Sequence, residues 1–460
     1  MHAPATRRYA KIAGKRSAGG NGRKMSRMKK MCVVLFFLWS FALMPGQGNA
    51  EELQVQADAS ILIDADSGKI LYEKKANTPL GIAEITKMMT TYIVLEAIQQ
   101  GKLQWEQEVS ISDYTYTLAQ NDEIRKVNLK QGSVYTVKAL YEAMVVYNAN
   151  DAAVALAEAV AGNETEFVRL MNEKAKELNL SGYKFVNASG LNNSFLLNMQ
   201  PEGTGTMDEN VMSARSVARL AYALYTSFPE VVNATSQVEI WFNEGTPESF
   251  QVTNWNRMLP SLEYSYSTVN GLFGGHSPFA GYSMVSFAER NGKKLIAVVM
   301  KAVNEQGEES EEALYAEMTK ILDYGFENFD RVELISAGYK MKEQDMLTVI
   351  KGESRKVPVE TVDAVSLMLK PKERELYVPV LLLDMDYVEA PVEKGTVVGK
   401  LLLERSEGKD LGFITGEAIM VDVVASENVN EAKQFKLFLQ GISAFWRSLW
   451  HEANEFVGNE

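Results

Sequence analysis

Two apolar, β-rich runs, ASILIDA over 59–65 and KILYE over 69–73, flank Asp66-Ser67-Gly68, and this spacing predicts a hairpin over 57–73. Residues 84–101 are apolar for most of their length and predict a helix enclosed on most sides. Helical spacing continues over 137–160, 165–179 and 212–227. After residue 265 the period changes. YSMVSFAER and KKLIAVVMKA flank Asn291-Gly292, a two-residue hairpin turn, and EEALYAEMTKILDYG over 311–325 closes the region with a helix.

Past Phe329 the pattern is short β-like runs (MLTVIKG, VSLMLK, LYVPVLLL, VVGKLLLE) broken by turn residues, which predicts a separate small β domain over 329–426. Residues 427–460 differ again. Phe435, Phe438, Leu439, Ile442, Phe445, Trp446, Leu449, Ala453 and Phe456 fall on one helical face, opposite Lys433, Lys436, Gln440, Ser443, Arg447, Ser448 and Glu452. An amphipathic helix with aromatic residues on its apolar side suits a membrane interface. The competing reading is a helix docked on its own domain.

Residues 1–50 hold ten Lys or Arg and no Asp or Glu. The basic run ends at Arg27, Lys29 and Lys30, an apolar stretch covers Met31–Met44, and Gly48-Asn49-Ala50 precedes Glu51. That order is the layout of a secretory signal peptide, with cleavage expected after Ala50. An uncut membrane anchor is the alternative, but the apolar run is short of the roughly 20 residues that a span needs. Removal of this segment leaves 37 of the chain's 47 basic residues against all 60 acidic ones. Such an acidic exported body is a poor partner for nucleic acid. Cys32, the one cysteine, leaves with the signal, and only His276 and His451 remain of three histidines, so neither a disulfide nor a histidine-built metal site is expected, and no cofactor is implied.

SILIDADSGKILYEKKANTPL, TKMMTTYIVLEAI, NANDAAVALAEAVAG, KFVNASGLNN, TNWNRML, VNGLFGGHSPFAGYSMV and APVEKGTVVGKL occur in that order and resemble stretches of the D-alanyl-D-alanine carboxypeptidases, the low-molecular-mass penicillin-binding proteins. The resemblance covers nearly the whole chain after residue 50. It implies an α+β fold over 51–328, an antiparallel sheet with a helical subdomain as in β-lactamases and transpeptidases, followed by the small β domain and a membrane-associating helix.

The same resemblance implies three motifs meeting in one cleft: Ser-x-x-Lys with the nucleophile, Ser-x-Asn, and Lys-Thr-Gly on an edge strand. Here they align as Glu84-Ile85-Thr86-Lys87, Asn148-Ala149-Asn150 and Phe273-Gly274-Gly275. Only Lys87, Asn150 and Gly275 match; with Ser277 they are the candidate binding residues, and no catalytic residue is expected to function. A carboxylate is a far weaker acyl-transfer nucleophile than an activated serine. Glu84 and Lys87, three apart on a helix, predict an ion pair, and Phe273 is expected to remove the carboxylate-binding cation and to fill space in the groove. His276 beside Ser277 invites a nucleophile-and-base reading, but neighbours on a strand face opposite ways. The expectation is a non-catalytic protein held at the outer face of the cytoplasmic membrane, binding peptidoglycan peptide or a cell-wall protein. The alternatives are a residual or altered D-Ala-D-Ala carboxypeptidase or serine hydrolase acting on cell-wall peptides, and a purely structural carrier.

Overall fold

A computed structural model describes residues 53–433 apart from Glu343 and Lys409. Its centre is a five-stranded antiparallel sheet. The strands are β1 (Ala57–Asp64), β2 (Ile70–Lys74), β3 (Val269–Ser277), β4 (Gly281–Arg290) and β5 (Lys293–Ala302), in the order β2-β1-β5-β4-β3. Both predicted hairpins form. Asn291 and Gly292 take φ of 53° and 74°, the positive values that a tight two-residue turn between β4 and β5 requires.

Both faces of the sheet are covered, which is why its strands read as continuous apolar runs rather than alternating ones. Ile61, Ile63, Ile296 and Val298 face the larger core. On the opposite side, Gly325 comes so near Leu62 and Leu295 that a Cβ there would lie 2.8 and 2.7 Å from their methyls.

The longer helices of this part are α1 (Lys87–Gln99), α2 (Val137–Val146), α3 (Asn150–Ala161), α4 (Glu164–Glu177), α5 (Ala214–Ser227) and α6 (Glu311–Asn328), with shorter ones at Asp113–Ala119 and Val231–Thr235. Every residue of α1 from Lys87 to Leu95 is buried, as its all-round apolar character predicts. It packs among α2, α3, α4 and α5, and α5 bridges to the sheet. Thr136, Asn163, Ser213 and Ser310 cap α2, α4, α5 and α6, each side chain accepting a bond from the N–H three residues on.

The single helical stretch expected over 137–160 is two helices. Asn148, at φ 66°, sits in the left-handed region between α2 and α3, where asparagine is tolerated better than most residues.

Beyond α6 the chain is β structure. Asp330–Ile335 pairs with Val365–Leu369. A six-stranded sheet runs in the order Tyr377–Leu383, Val397–Arg405, Met420–Ala425, Lys356–Thr361, Met346–Ile350, Tyr387–Glu389. Alternate residues such as Leu347, Val349, Val357, Val359, Val421 and Val423 form its core. Arg331 ties this part to the first one through buried Asp64, at 2.9 Å, and Lys69 does so through Asp410, at 2.9 Å.

The β region also runs further than the expected end at residue 426. Val429 exchanges backbone hydrogen bonds with Val392 at 2.9 Å, and the Ala432 N–H donates to Lys351 at 2.8 Å, with both side chains buried. Residues 427–432 therefore belong to the β region by packing. The amphipathic segment beyond Lys433 lies outside the described residues.

Candidate functional site

The first motif starts in a tight turn. Ala83–Thr86 is a 3-10 turn leading into α1, and Ala83 holds a φ of 41°, unusual for a residue with a Cβ. The loop carrying KFVNASGLNN wraps this turn. Gly190, at φ 93°, approaches so closely that a Cβ would lie 2.1 Å from the Ala83 carbonyl oxygen. Asn210 donates to Thr86 Oγ1 at 2.8 Å and to the Asn187 carbonyl at 3.0 Å. Thr90 donates to the Ala188 carbonyl at 2.7 Å.

The expected ion pair between Glu84 and Lys87 does not form. Lys87 is fully buried, and its Nζ donates to Asn150 Oδ1 at 2.7 Å and to the Ser189 carbonyl at 2.9 Å. Glu84 turns instead to the sheet, where its Oε2 accepts from the His276 N–H at 3.1 Å. Each group has found a partner in a direction that the three-residue spacing does not reveal. Burial lowers the Lys87 pKa to about 7, while the Glu84 charge pulls it up.

Asn148 makes the companion contact, its Nδ2 donating to the Gly274 carbonyl at 3.2 Å. β3 is an edge strand, as the resemblance implied, so among the described residues its outer N–H and C=O groups have no strand partner. Two of them are taken by Glu84 and Asn148, which the resemblance sets at the serine positions of its first two motifs. Gly275 makes this possible, since a Cβ there would lie 1.9 Å from Glu84 Oε2.

Phe273 needs a correction of a different kind. It is 1 % exposed, lies in the main core opposite Val285 of β4, and fills no space in the groove. An apolar ring is stabilised by that burial, whereas the lysine expected there could not follow it without losing its solvation. Trp255 covers the neighbouring backbone, so that a Cβ at Gly274 would meet its ring at 2.6 Å.

The cleft stays open, with a volume of about 850 Å³. Of the candidate binding residues only Gly275 lines it; Lys87, Asn150 and Ser277 are buried. Ser277 braces the β3–β4 turn, donating to Glu209 at 2.6 Å and accepting from the Ala280 N–H at 2.9 Å. His276 points the other way and stacks on Tyr282, ring centroids 4.1 Å apart, so the two do not form a nucleophile–base pair.

Sequence reasoning missed Arg125, Tyr147, Arg257 and Tyr282, all of which line the cleft. Arg125 lies in a loop that matches no motif. The one signal for Tyr147 was its place beside Asn148. Among the described residues, no group of three or more His, Cys, Asp or Glu is arranged to hold a metal ion.

The buried lysine gives a pH prediction. Its pKa falls from 10.5 to about 7 on folding, so between those values the unfolded chain binds a proton that the native one lacks. Lys87 therefore costs stability fully below pH 7, and that cost lifts as pH rises. The unfolding free energy of the wild type, measured against Lys87→Met in urea, is expected to gain on the variant steadily from pH 7 to pH 9; a flat difference would show that Lys87 keeps an ordinary pKa.

Residues 47–304 match the family described as D-alanyl-D-alanine carboxypeptidase, and residues 329–431 match the C-terminal domain of penicillin-binding protein 5. The D-alanyl-D-alanine carboxypeptidase DacF of Bacillus subtilis is 28% identical over 407 residues, covering 88% of this chain and 94% of that protein. The D-alanyl-D-alanine carboxypeptidase DacC of Escherichia coli is 29% identical over 371 residues, covering 80% of this chain and 85% of that one. Among solved structures, a peptidoglycan synthesis regulatory factor (PBP3) from Streptococcus pneumoniae aligns with a TM-score of 0.73 at 30% identity, over 82% of this chain and all of that one. Penicillin binding protein 5 from Haemophilus influenzae aligns at 0.64 and 26% identity, over 82% of this chain and 98% of that one. The shared fold and the family match across most of the first part place the chain in the D-alanyl-D-alanine carboxypeptidase family.

Proposed function

We propose that this protein is an exported, membrane-associated and non-catalytic member of its family, which binds peptidoglycan peptide in a cleft that no longer performs acyl transfer. The observation that carries this reading is the hydrogen bond from the His276 N–H to Glu84 Oε2. Acyl transfer needs a nucleophilic oxygen and, within reach of it, preorganised donors for the charge that develops on the carbonyl oxygen. Glu84 stands where the nucleophile would be, and its own carboxylate occupies a backbone donor beside that position. An acyl adduct on Glu84 would be an anhydride, which water cleaves readily.

Residual hydrolysis has little to draw on. Nearby hydroxyls are committed elsewhere: Thr86 Oγ1 donates to the Ala83 carbonyl at 2.7 Å, and Thr90 Oγ1 to that of Ala188. The Lys87 amine, although held at a pKa of about 7, is bonded to Asn150 and Ser189 beneath the cleft. A regulatory role agrees with the likeness to the Streptococcus pneumoniae peptidoglycan synthesis regulatory factor. The basic and apolar leader over 1–50 supports export, and the amphipathic pattern beyond Lys433 supports attachment to the outer face of the cytoplasmic membrane.

Purified protein incubated with a fluorescent penicillin is expected to show no labelled band after denaturation, and with a D-Ala-D-Ala peptide to release no D-Ala. Glu84→Ser alone is expected to leave labelling at background, because Asn148, Phe273 and Gly274 remain. A denaturation-stable band on the unaltered protein would end the non-catalytic reading.

Attachment has a separate test. A chain ending at Lys433 keeps Val429 and Ala432 in place. It is expected to fold and to leave the membrane fraction in which the full chain sediments. Its retention there would place the anchor elsewhere, and its aggregation would favour a C-terminal helix docked on the protein.

A further inference from the structure

We propose that Arg125 reads the free carboxylate of a short peptide lying in the outer part of the cleft. This rests on the reading of the cleft as a peptide-binding surface and names the group that recognises the ligand. Arg125 is exposed, but its place is built. Its carbonyl oxygen accepts from the Asn150 N–H at 2.9 Å and from Asn150 Nδ2 at 3.0 Å. Two and four residues on, Val127 and Leu129 donate their N–H groups to the buried Asp151 carboxylate at 3.1 and 3.2 Å. The loop is thereby pinned to the start of α3, and the guanidinium lies 5.4 Å from the Tyr147 ring centroid. A guanidinium packed against a ring keeps its in-plane donors for another group.

No such group is supplied by the described residues. The other arginine of the cleft, Arg257, is neutralised by Glu263 at 3.0 Å and Glu311 at 3.4 Å. Arg125 has no ion-pair partner among the described residues, although it lines the same cleft. The surrounding charge selects the kind of anion. Glu84, Glu263 and Glu311 all line the cleft, so a doubly charged phosphate would meet three carboxylates and a single uncommitted cation. A planar monoanion matches one guanidinium with two parallel hydrogen bonds.

A second feature points to a peptide. Among the described residues Phe250–Thr253 pairs only with Glu239–Phe242, so its other edge has no partner strand there, and all four of its residues line the cleft. With β3 gripped by Glu84 and Asn148, this second edge offers the backbone donors and acceptors along which an extended chain can lie.

The test uses the purified full chain in detergent and two probes: a fluorescein-labelled Lys-D-Ala-D-Ala peptide with a free C-terminal carboxylate, and the same peptide as its C-terminal amide. Binding is read by fluorescence anisotropy. The acid is expected to bind about tenfold more tightly than the amide, as one charge-assisted pair supplies. Arg125→Gln is expected to bring the acid down to the amide's affinity and to leave the amide unchanged, with Arg125→Lys between. Acid and amide binding alike, or an Arg125→Gln variant that holds the acid as tightly as the wild type, would overturn the role of Arg125 and leave the peptide-binding reading standing. Failure of both probes to bind the wild type at up to about 10 mM would overturn both.

Discussion

A strand at the edge of a sheet presents unpaired N–H and C=O groups, and when that edge faces a cleft something must satisfy them. In this protein Glu84 takes the N–H of His276 and Asn148 takes the carbonyl of Gly274. Much of the local backbone is arranged around these two contacts. Gly275 leaves room for the carboxylate, Gly190 lets its loop close over Ala83, and Asn148 adopts the left-handed conformation that separates α2 from α3. A hydrogen bond to a charged group contributes about 1.5–3 kcal/mol, more than a neutral one, so Glu84 is the stronger of the two ties.

The residues that the resemblance sets at the three motifs thus act together as structural ties. Glu84 and Asn148 bind the helical part to the sheet edge, and Phe273 places an apolar ring in the core. Lys87 is a buried structural donor: its amine joins Asn150 to the loop at Ser189. Asn150 in turn bonds both Lys87 and the carbonyl of Arg125. On the proposed non-catalytic reading tethering takes the place of chemistry at this site, while the outer cleft has a volume of about 850 Å³, aromatic walls and one cation free of ion pairs among the described residues.

Much of this was legible in the chain. The hairpins at Asp66-Ser67-Gly68 and Asn291-Gly292, the enclosed helix α1 and the β texture after Phe329 all follow from period and turn chemistry. The motif positions could be read by resemblance, but the directions of their side chains could not. Residues 84 and 87 stand three apart, yet their partners lie 192 and 63 positions away, at His276 and Asn150. Phe273 was expected in the groove because the resemblance sets a carboxylate-binding lysine at its position, but the hydrophobic effect acts on the ring and not on the motif. Arg125 carried no signal because its importance comes from a loop pinned by Asn150 and Asp151. The end of the β region was misplaced because residues 427–432 hold too few apolar positions for any periodicity to show.

The grip of Glu84 on the sheet edge is tested most directly by amide hydrogen exchange at His276, followed by NMR in the wild type, Glu84→Gln and Glu84→Ala. The His276 amide is expected to be protected in the wild type, to keep most of that protection with glutamine, whose carbonyl can still accept, and to lose it with alanine. An unprotected amide in the wild type, or protection that survives Glu84→Ala, would contradict the account.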